Sequence, residues 1–69
     1  MQIVLNGDRR ELSGPQTVQS LLEHLGIDAR MVAVELNRVV VRRDRHPHTV
    51  VTDGAEVEIV AFVGGGAMR

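Results

Sequence analysis

Sixty-nine residues with a net charge of −1 and one aromatic, Phe62, allow a single domain with a small aliphatic core. The absence of Cys excludes a disulfide framework, a thiolate metal site and a thiol nucleophile, and a pI near 6.3 argues against nucleic acid as a main partner. No apolar run approaches the ~20 residues of a membrane span, and the start "MQIVLNGDRR" brings acid and arginine too early for a secretion signal, so a soluble cytoplasmic protein is expected.

"QIVLNGDRREL" reads as a hairpin. Ile3 and Leu5 alternate with Gln2 and Val4, and Asn6-Gly7 is the strongest short signal for a type I′ turn. The return strand runs over about Arg9–Leu12 and ends at Ser13-Gly14-Pro15. "TVQSLLEHLG" reads as a helix. Val18, Leu21, Leu22 and Leu25 form one apolar stripe, with Thr17 as N-cap and Gly26 at the left-handed C-terminal position. Gln19, Ser20, Glu23 and His24 are expected to face water.

"MVAVELN" is a strand with Val32, Val34 and Leu36 on one face and Ala33 and Glu35 on the other. Asn37-Arg38 turns the chain into Val39–Val41. "RRDRHPH" reads as a polar connection in which Pro47, lacking an amide donor, breaks any ladder. "TVV" is a short edge segment and Asp53-Gly54 a turn. "AEVEIVAFV" is the last strand, with Val57, Ile59 and Ala61 pointing one way and Glu58, Val60 and Phe62 the other.

The order is β-β-α-β-β-β with one amphipathic helix. One helix covers one face of a sheet, so the other face is solvated or meets a partner. A ferredoxin-like fold needs a second helix, which the sequence lacks. An α+β fold with a small mixed sheet over a single helix remains.

No enzyme active site can be drawn. His46 and His48 flank Pro47 and read as solvated loop side chains. Two ligands fall short of the three or four a metal site needs, and no metal is expected. His24 lies on the polar helix face, and no nucleophile has an adjacent base. "VGGGAMR" lacks the Lys-Ser/Thr of a phosphate-binding loop. All eight basic residues are Arg, so only the N-terminal amine could accept an isopeptide-type bond. The chain could be attached to others but could not build lysine-linked chains of itself.

Two features remain. Val60 and Phe62, with Val63 following, form an apolar stretch on the solvent side of the last strand, a candidate docking patch. Gly64, Gly65 and Gly66 follow directly. Ordering each glycine costs ~1–2 kcal/mol or more of backbone entropy, so a flexible tail over 64–69 is expected after a domain over 1–63. A peptide without side chains enters a channel too narrow for a Cβ. The four residues from Phe62 to Gly66 reach ~13–14 Å.

The pieces "MQIVLNG", "LLEHLGID", "VAVELN", "TVVTDGAEVEIV" and "FVGGG", in this order over residues 1–66, together resemble the small sulfur carrier proteins of thiamine biosynthesis. The resemblance implies the β-grasp, ubiquitin-like fold: a mixed sheet of four to five strands packed on one main helix, with the first and last strands parallel at its centre. It implies a carrier, not an enzyme, with no cofactor of its own. An E1-like adenylating enzyme would use ATP and Mg²⁺ to adenylate the terminal glycine carboxylate. A sulfur-donor protein, a cysteine desulfurase or a related one, would then supply sulfur to form a thiocarboxylate, and thiazole synthase would take that sulfur. Gly66 would be the acyl carrier, Gly65 the slim residue before it, and Gly64 an extension of the arm. Two departures stand out. Ala67, Met68 and Arg69 follow Gly66, which leaves it without a free carboxylate as written, and Arg38 stands where relatives often have Gly in a turn. The molybdopterin-synthase type of sulfur carrier, a ubiquitin-like modifier and a binding-only β-grasp domain share the same features.

Overall fold

Asn6 and Gly7 both take positive φ, 49° and 86°, the pair a type I′ turn needs. They close strand β1 (Gln2–Leu5) on β2 (Asp8–Glu11) with Leu5 opposite Asp8. The computed structural model describes residues 1–62. The expectations for Val63, Gly64, Gly65 and Gly66, and for a tail over 64–69 distinct from a domain over 1–63, lie outside the described residues.

Asn37 and Arg38 repeat the device at φ 51° and 70° and close β4 (Val32–Leu36) on β5 (Val39–Val41). Arg38 thus holds the left-handed conformation that glycine adopts freely, at a cost of roughly 1 kcal/mol for a residue with a Cβ. The last strand, β7 (Glu56–Ala61), joins the two hairpins. It runs parallel to β1 and antiparallel to β4, giving a five-stranded sheet in the order β2-β1-β7-β4-β5. The first and last strands are therefore parallel at the centre, and the mixed sheet over one main helix is the β-grasp architecture.

Helix α1 (Val18–Leu25) packs on one face of this sheet. Thr17 caps it: the Thr17 hydroxyl accepts from the Ser20 amide at 3.0 Å, and Ser20 Oγ accepts from the Thr17 amide at 3.0 Å. Ser20 is therefore half-buried in the cap and does not face water as expected. Gly26, at φ 72°, ends the helix in the left-handed conformation. Val18, Leu21 and Leu22 are buried against Ile3, Val34 and Val57 of the sheet, with Leu12, Val51 and Ala55 closing the ends. Burying each such side chain contributes roughly 1.5–3 kcal/mol, so the aliphatic stripe is the main source of stability.

The connections hold more structure than the sequence suggested. Gln16–Thr17 forms a strand, β3, that pairs antiparallel with β6 (Val50–Val51). The Val18 amide also donates to Thr49 O at 2.8 Å, which fixes the helix entry. Asp28 caps a 3₁₀ turn over Ala29–Met31 and receives the Arg30 side chain at 2.8 Å. That side-chain hydrogen bond, joined by the Arg30 amide, holds the Asp28 carboxyl down at about 2.

The "RRDRHPH" stretch is a 3₁₀ segment, Arg43–His48, and His46 within it is buried at 4% exposure. This corrects the expectation of a solvated His46. The 3₁₀ segment packs under α1 and turns one ring inward, where Nε2 lies 3.2 Å from Val41 O. Nδ1 is buried without a hydrogen-bond partner. His48 and His24 are exposed, as expected.

Candidate functional site: the outer sheet face and the end of β7

The strand period fixes which side chains share the uncovered face. On β7, Val57 is buried and Ile59 packs on the core, so Glu56, Glu58, Val60 and then Phe62 point outward. On β4 the alternation leaves Ala33 and Glu35 outward. The register sets Ala33 opposite Val60, Glu35 opposite Glu58, and Val40 of β5 opposite Glu35. The outer face therefore has an apolar end formed by Ala33, Val60 and Phe62 and an acidic end where Glu35, Glu56 and Glu58 stand beside the exposed Val40.

Val60 is 60% exposed and Phe62 48%, large values for apolar side chains on a central strand. Central position protects the backbone of β7 but leaves these side chains free, because the single helix lies on the opposite face. The structure thus brings two of the sequence-predicted docking residues, Val60 and Phe62, into one patch. It adds Ala33, which pairs with Val60 across β4 and gives no signal in the sequence until the register is known.

β7 is held in place along its length. Asn6 Oδ1 accepts from the Ile59 amide at 2.8 Å, and Asn6 Nδ2 donates to Ile59 O at 3.2 Å. Asn37 Oδ1 accepts from the Glu56 amide at 2.9 Å. Each turn asparagine thus ties its hairpin to the central strand, a second task beyond tolerating positive φ. Beyond Ala61, the Phe62 amide donates to Met31 O at 2.9 Å. The point where the described chain ends is therefore anchored to the 3₁₀ turn before β4.

The acidic end surrounds a shallow cavity of about 300 Å³ lined by Glu35, Arg38, Glu56 and Glu58. Arg38 Nε lies 3.3 Å from Glu56 Oε1, an exposed ion pair. On the helix side, Leu5, Leu25, Ile27, Val32 and Ile59 line an open groove of about 470 Å³. Ala61, expected on the same side as Val57 and Ile59, is exposed at the rim of this groove.

Among the described residues no group of three or more His, Cys, Asp or Glu side chains could hold a metal ion. Among the described residues, the hydrogen-bond partner of His46 is a backbone carbonyl, Val41 O. No helix is long and apolar enough to cross a membrane among the described residues. What the described site offers is a shaped surface ending at the root of a glycine-rich segment.

The family model of the ThiS family matches residues 3–66. The crystal structure of a thiamine biosynthesis protein (ThiS) from Geobacter metallireducens superposes with a TM-score of 0.85 at 38% identity, covering 96% of this chain and all of that one. A sulfur carrier protein ThiS from Thermus thermophilus is 39% identical over 62 residues, 90% of this chain and 95% of the relative. A protein named thiazole synthase from Paramagnetospirillum magneticum is 46% identical over 67 residues, 97% of this chain and 21% of that protein. A second thiazole synthase, from Magnetococcus marinus, is 38% identical over 66 residues. The chain spans about a fifth of the length of these two thiazole synthases.

Proposed function

The chain belongs to the ThiS family, and on that premise we propose that it is a sulfur carrier of thiamine biosynthesis whose working group is the carbonyl of Gly66. The observation that carries the reading is where the family match stops. It runs to Gly66, the last of three glycines, and leaves Ala67–Arg69 beyond it. A free Gly66 carboxylate is a poor electrophile. Its oxygen attacks the α-phosphorus of ATP on an E1-like adenylating enzyme, with Mg²⁺ on that enzyme neutralising the phosphates, and pyrophosphate leaves. The terminal sulfur of a persulfide on a cysteine desulfurase or related donor attacks the acyl-adenylate carbonyl and AMP leaves; a thiol then reduces the S–S bond of the resulting acyl disulfide and is itself oxidised to a disulfide. The product is a thiocarboxylate.

Glycine suits each step. Gly66 and Gly65 carry no Cβ to crowd the reacting carbonyl, and Gly64 lengthens the arm. From Phe62 to Gly66 the chain reaches ~13–14 Å, enough to place the carbonyl inside a partner while Val60, Phe62 and Val63 dock outside. Thiazole synthase is the proposed acceptor. The two proteins of that name that contain a stretch similar to nearly all of this chain support a working relationship between carrier and synthase.

Cleavage of the Gly66–Ala67 peptide bond must precede activation, because an internal glycine has no carboxylate to adenylate. The test compares a form ending at Gly66 with the full 69-residue chain in ATP–pyrophosphate exchange by the adenylating enzyme. Exchange with the shorter form alone is expected. Equal exchange with the full chain would overturn the assignment of Gly66.

A further inference from the structure

The ladder between β4 and β7 ends on half a rung. The two strands pair antiparallel with Val32 opposite Ala61, so the next positions in register are Met31 and Phe62. Ala33 and Val60 stand in the same phase one rung earlier. A regular antiparallel ladder gives such a pair two bonds, one from each amide. Here the Phe62 amide donates to Met31 O at 2.9 Å, but the Met31 amide donates to Asp28 O, also at 2.9 Å, inside the 3₁₀ turn. The residues before Met31 are wound into that turn, so β4 offers no extended backbone for a further rung.

The other neighbour of β7 stops earlier. β1 pairs with it at Glu56 and Val57, and the Asn6 side chain reaches Ile59. Among the described residues, the backbone of Phe62 is therefore held by one hydrogen bond, to Met31 O. That carbonyl stays in place because the turn is capped. Asp28 Oδ1 accepts from the Arg30 amide at 2.9 Å, and Asp28 Oδ2 accepts from Arg30 Nη2 at 2.8 Å. A turn this short has little else to hold it, since its first amides lack partners within it. Gly64 follows Phe62 by two residues.

We propose that Asp28 is a positioning residue for the activation of Gly66. Its carboxylate caps the 3₁₀ turn, the turn presents Met31 O to the Phe62 amide, and that bond fixes the point from which the glycine arm sets out. This rests on the carrier reading above. Asp28 acts through Phe62 and not on the reacting carbonyl. Without the cap, Phe62 and Ala61 fray back to the full rung at Val60. The arm to Gly66 then counts six residues from Val60 instead of four from Phe62. The local concentration of a tethered group falls as roughly the −3/2 power of tether length or more steeply, a loss here of about 2- to 4-fold.

The test compares Asp28→Ala with Asp28→Asn and Arg30→Ala. Both side chains are exposed, so all three variants should fold. The asparagine oxygen still accepts from the Arg30 amide, and Arg30→Ala keeps that amide. The first readout is amide hydrogen exchange by NMR on the full chain, with Phe62 referenced to Val60. Asp28→Ala is expected to raise the ratio about tenfold, and the other two to leave it at the parent value. The second is ATP–pyrophosphate exchange by the adenylating enzyme with forms ending at Gly66. Asp28→Ala is expected to lower kcat about 2- to 4-fold with a smaller change in KM, and Asp28→Asn and Arg30→Ala to match the parent.

Unchanged exchange at Phe62 in Asp28→Ala would mean that the cap does not hold the root of the arm, and the proposal falls. Faster exchange with a parent-like kcat would confine the turn to the fold, which also overturns it. Loss of kcat in Asp28→Asn equal to that in Asp28→Ala would assign the effect to charge and not to the cap, a third refutation. All three leave the carrier reading intact. Absence of pyrophosphate exchange in the parent form ending at Gly66, with demonstrably active enzyme, would overturn the carrier reading itself and the role of Asp28 with it.

Discussion

His46 gives the sharpest test of the packing. Truncation to Ala would remove a ring that is 4% exposed between α1 and the 3₁₀ segment. Large-to-small changes at comparably buried sites cost about 2–5 kcal/mol. The lost bond between Nε2 and Val41 O adds roughly 1 kcal/mol. Against these, the buried and unpartnered Nδ1 disappears, which returns roughly 1–3 kcal/mol of desolvation cost. The balance for His46→Ala is a loss of about 2 kcal/mol, or roughly 8–16 °C in Tm for a domain of this size. His46→Leu keeps most of the packing and removes Nδ1, so it should fall within about 1 kcal/mol of the parent in either direction. Urea and thermal unfolding followed by far-UV circular dichroism measure both. A loss below about 0.5 kcal/mol for His46→Ala would mean a surface histidine and refute the burial.

Asn6→Ala removes two hydrogen bonds to Ile59 and a residue suited to positive φ, and should cost about 2–3 kcal/mol in urea unfolding, with Asn6→Gly recovering part of it. The Asp28 carboxyl should titrate at about 2 by carbon-13 NMR and rise in Arg30→Ala, though not to the ordinary range, because the backbone amide of residue 30 still donates to it. Because its folded value is lowered, any stability it confers is present above the usual carboxylate range and is lost as pH falls from there through about 2. Val60→Asp and Phe62→Asp should leave Tm within a few degrees, since both side chains are exposed, while weakening binding to the adenylating enzyme at least tenfold in titration calorimetry. Parent-like affinity would return both residues to a plain surface role.

Local chemistry made much of the fold readable. Asn6-Gly7 demanded a type I′ turn, Thr17 and Gly26 bounded the helix, and alternation along Glu56–Ala61 placed Val60 and Phe62 on the uncovered face. Other features depended on distant partners. Gln16 and Thr17 form a strand only because Val50 and Val51 lie alongside, and two residues carry no period. His46 sits among Arg43, Asp44, Arg45 and Pro47, a polar stretch whose composition hides the one ring that turns inward. Arg38 shows the same limit, since a tight turn was expected there but its 70° φ was not. The opposition of Glu35 and Glu58 follows from register, which alternation alone leaves open. The reading of Gly64, Gly65 and Gly66 as a carrier arm lies outside the described residues.

The central claim is that Gly66 carries sulfur. Its direct test is mass spectrometry of the form ending at Gly66 after incubation with the adenylating enzyme, ATP, Mg²⁺ and a sulfide source. Replacement of one oxygen by sulfur is expected, localised to Gly66 by fragmentation and absent from the full-length chain. An unchanged Gly66 carboxylate in the presence of demonstrably active enzyme would contradict it.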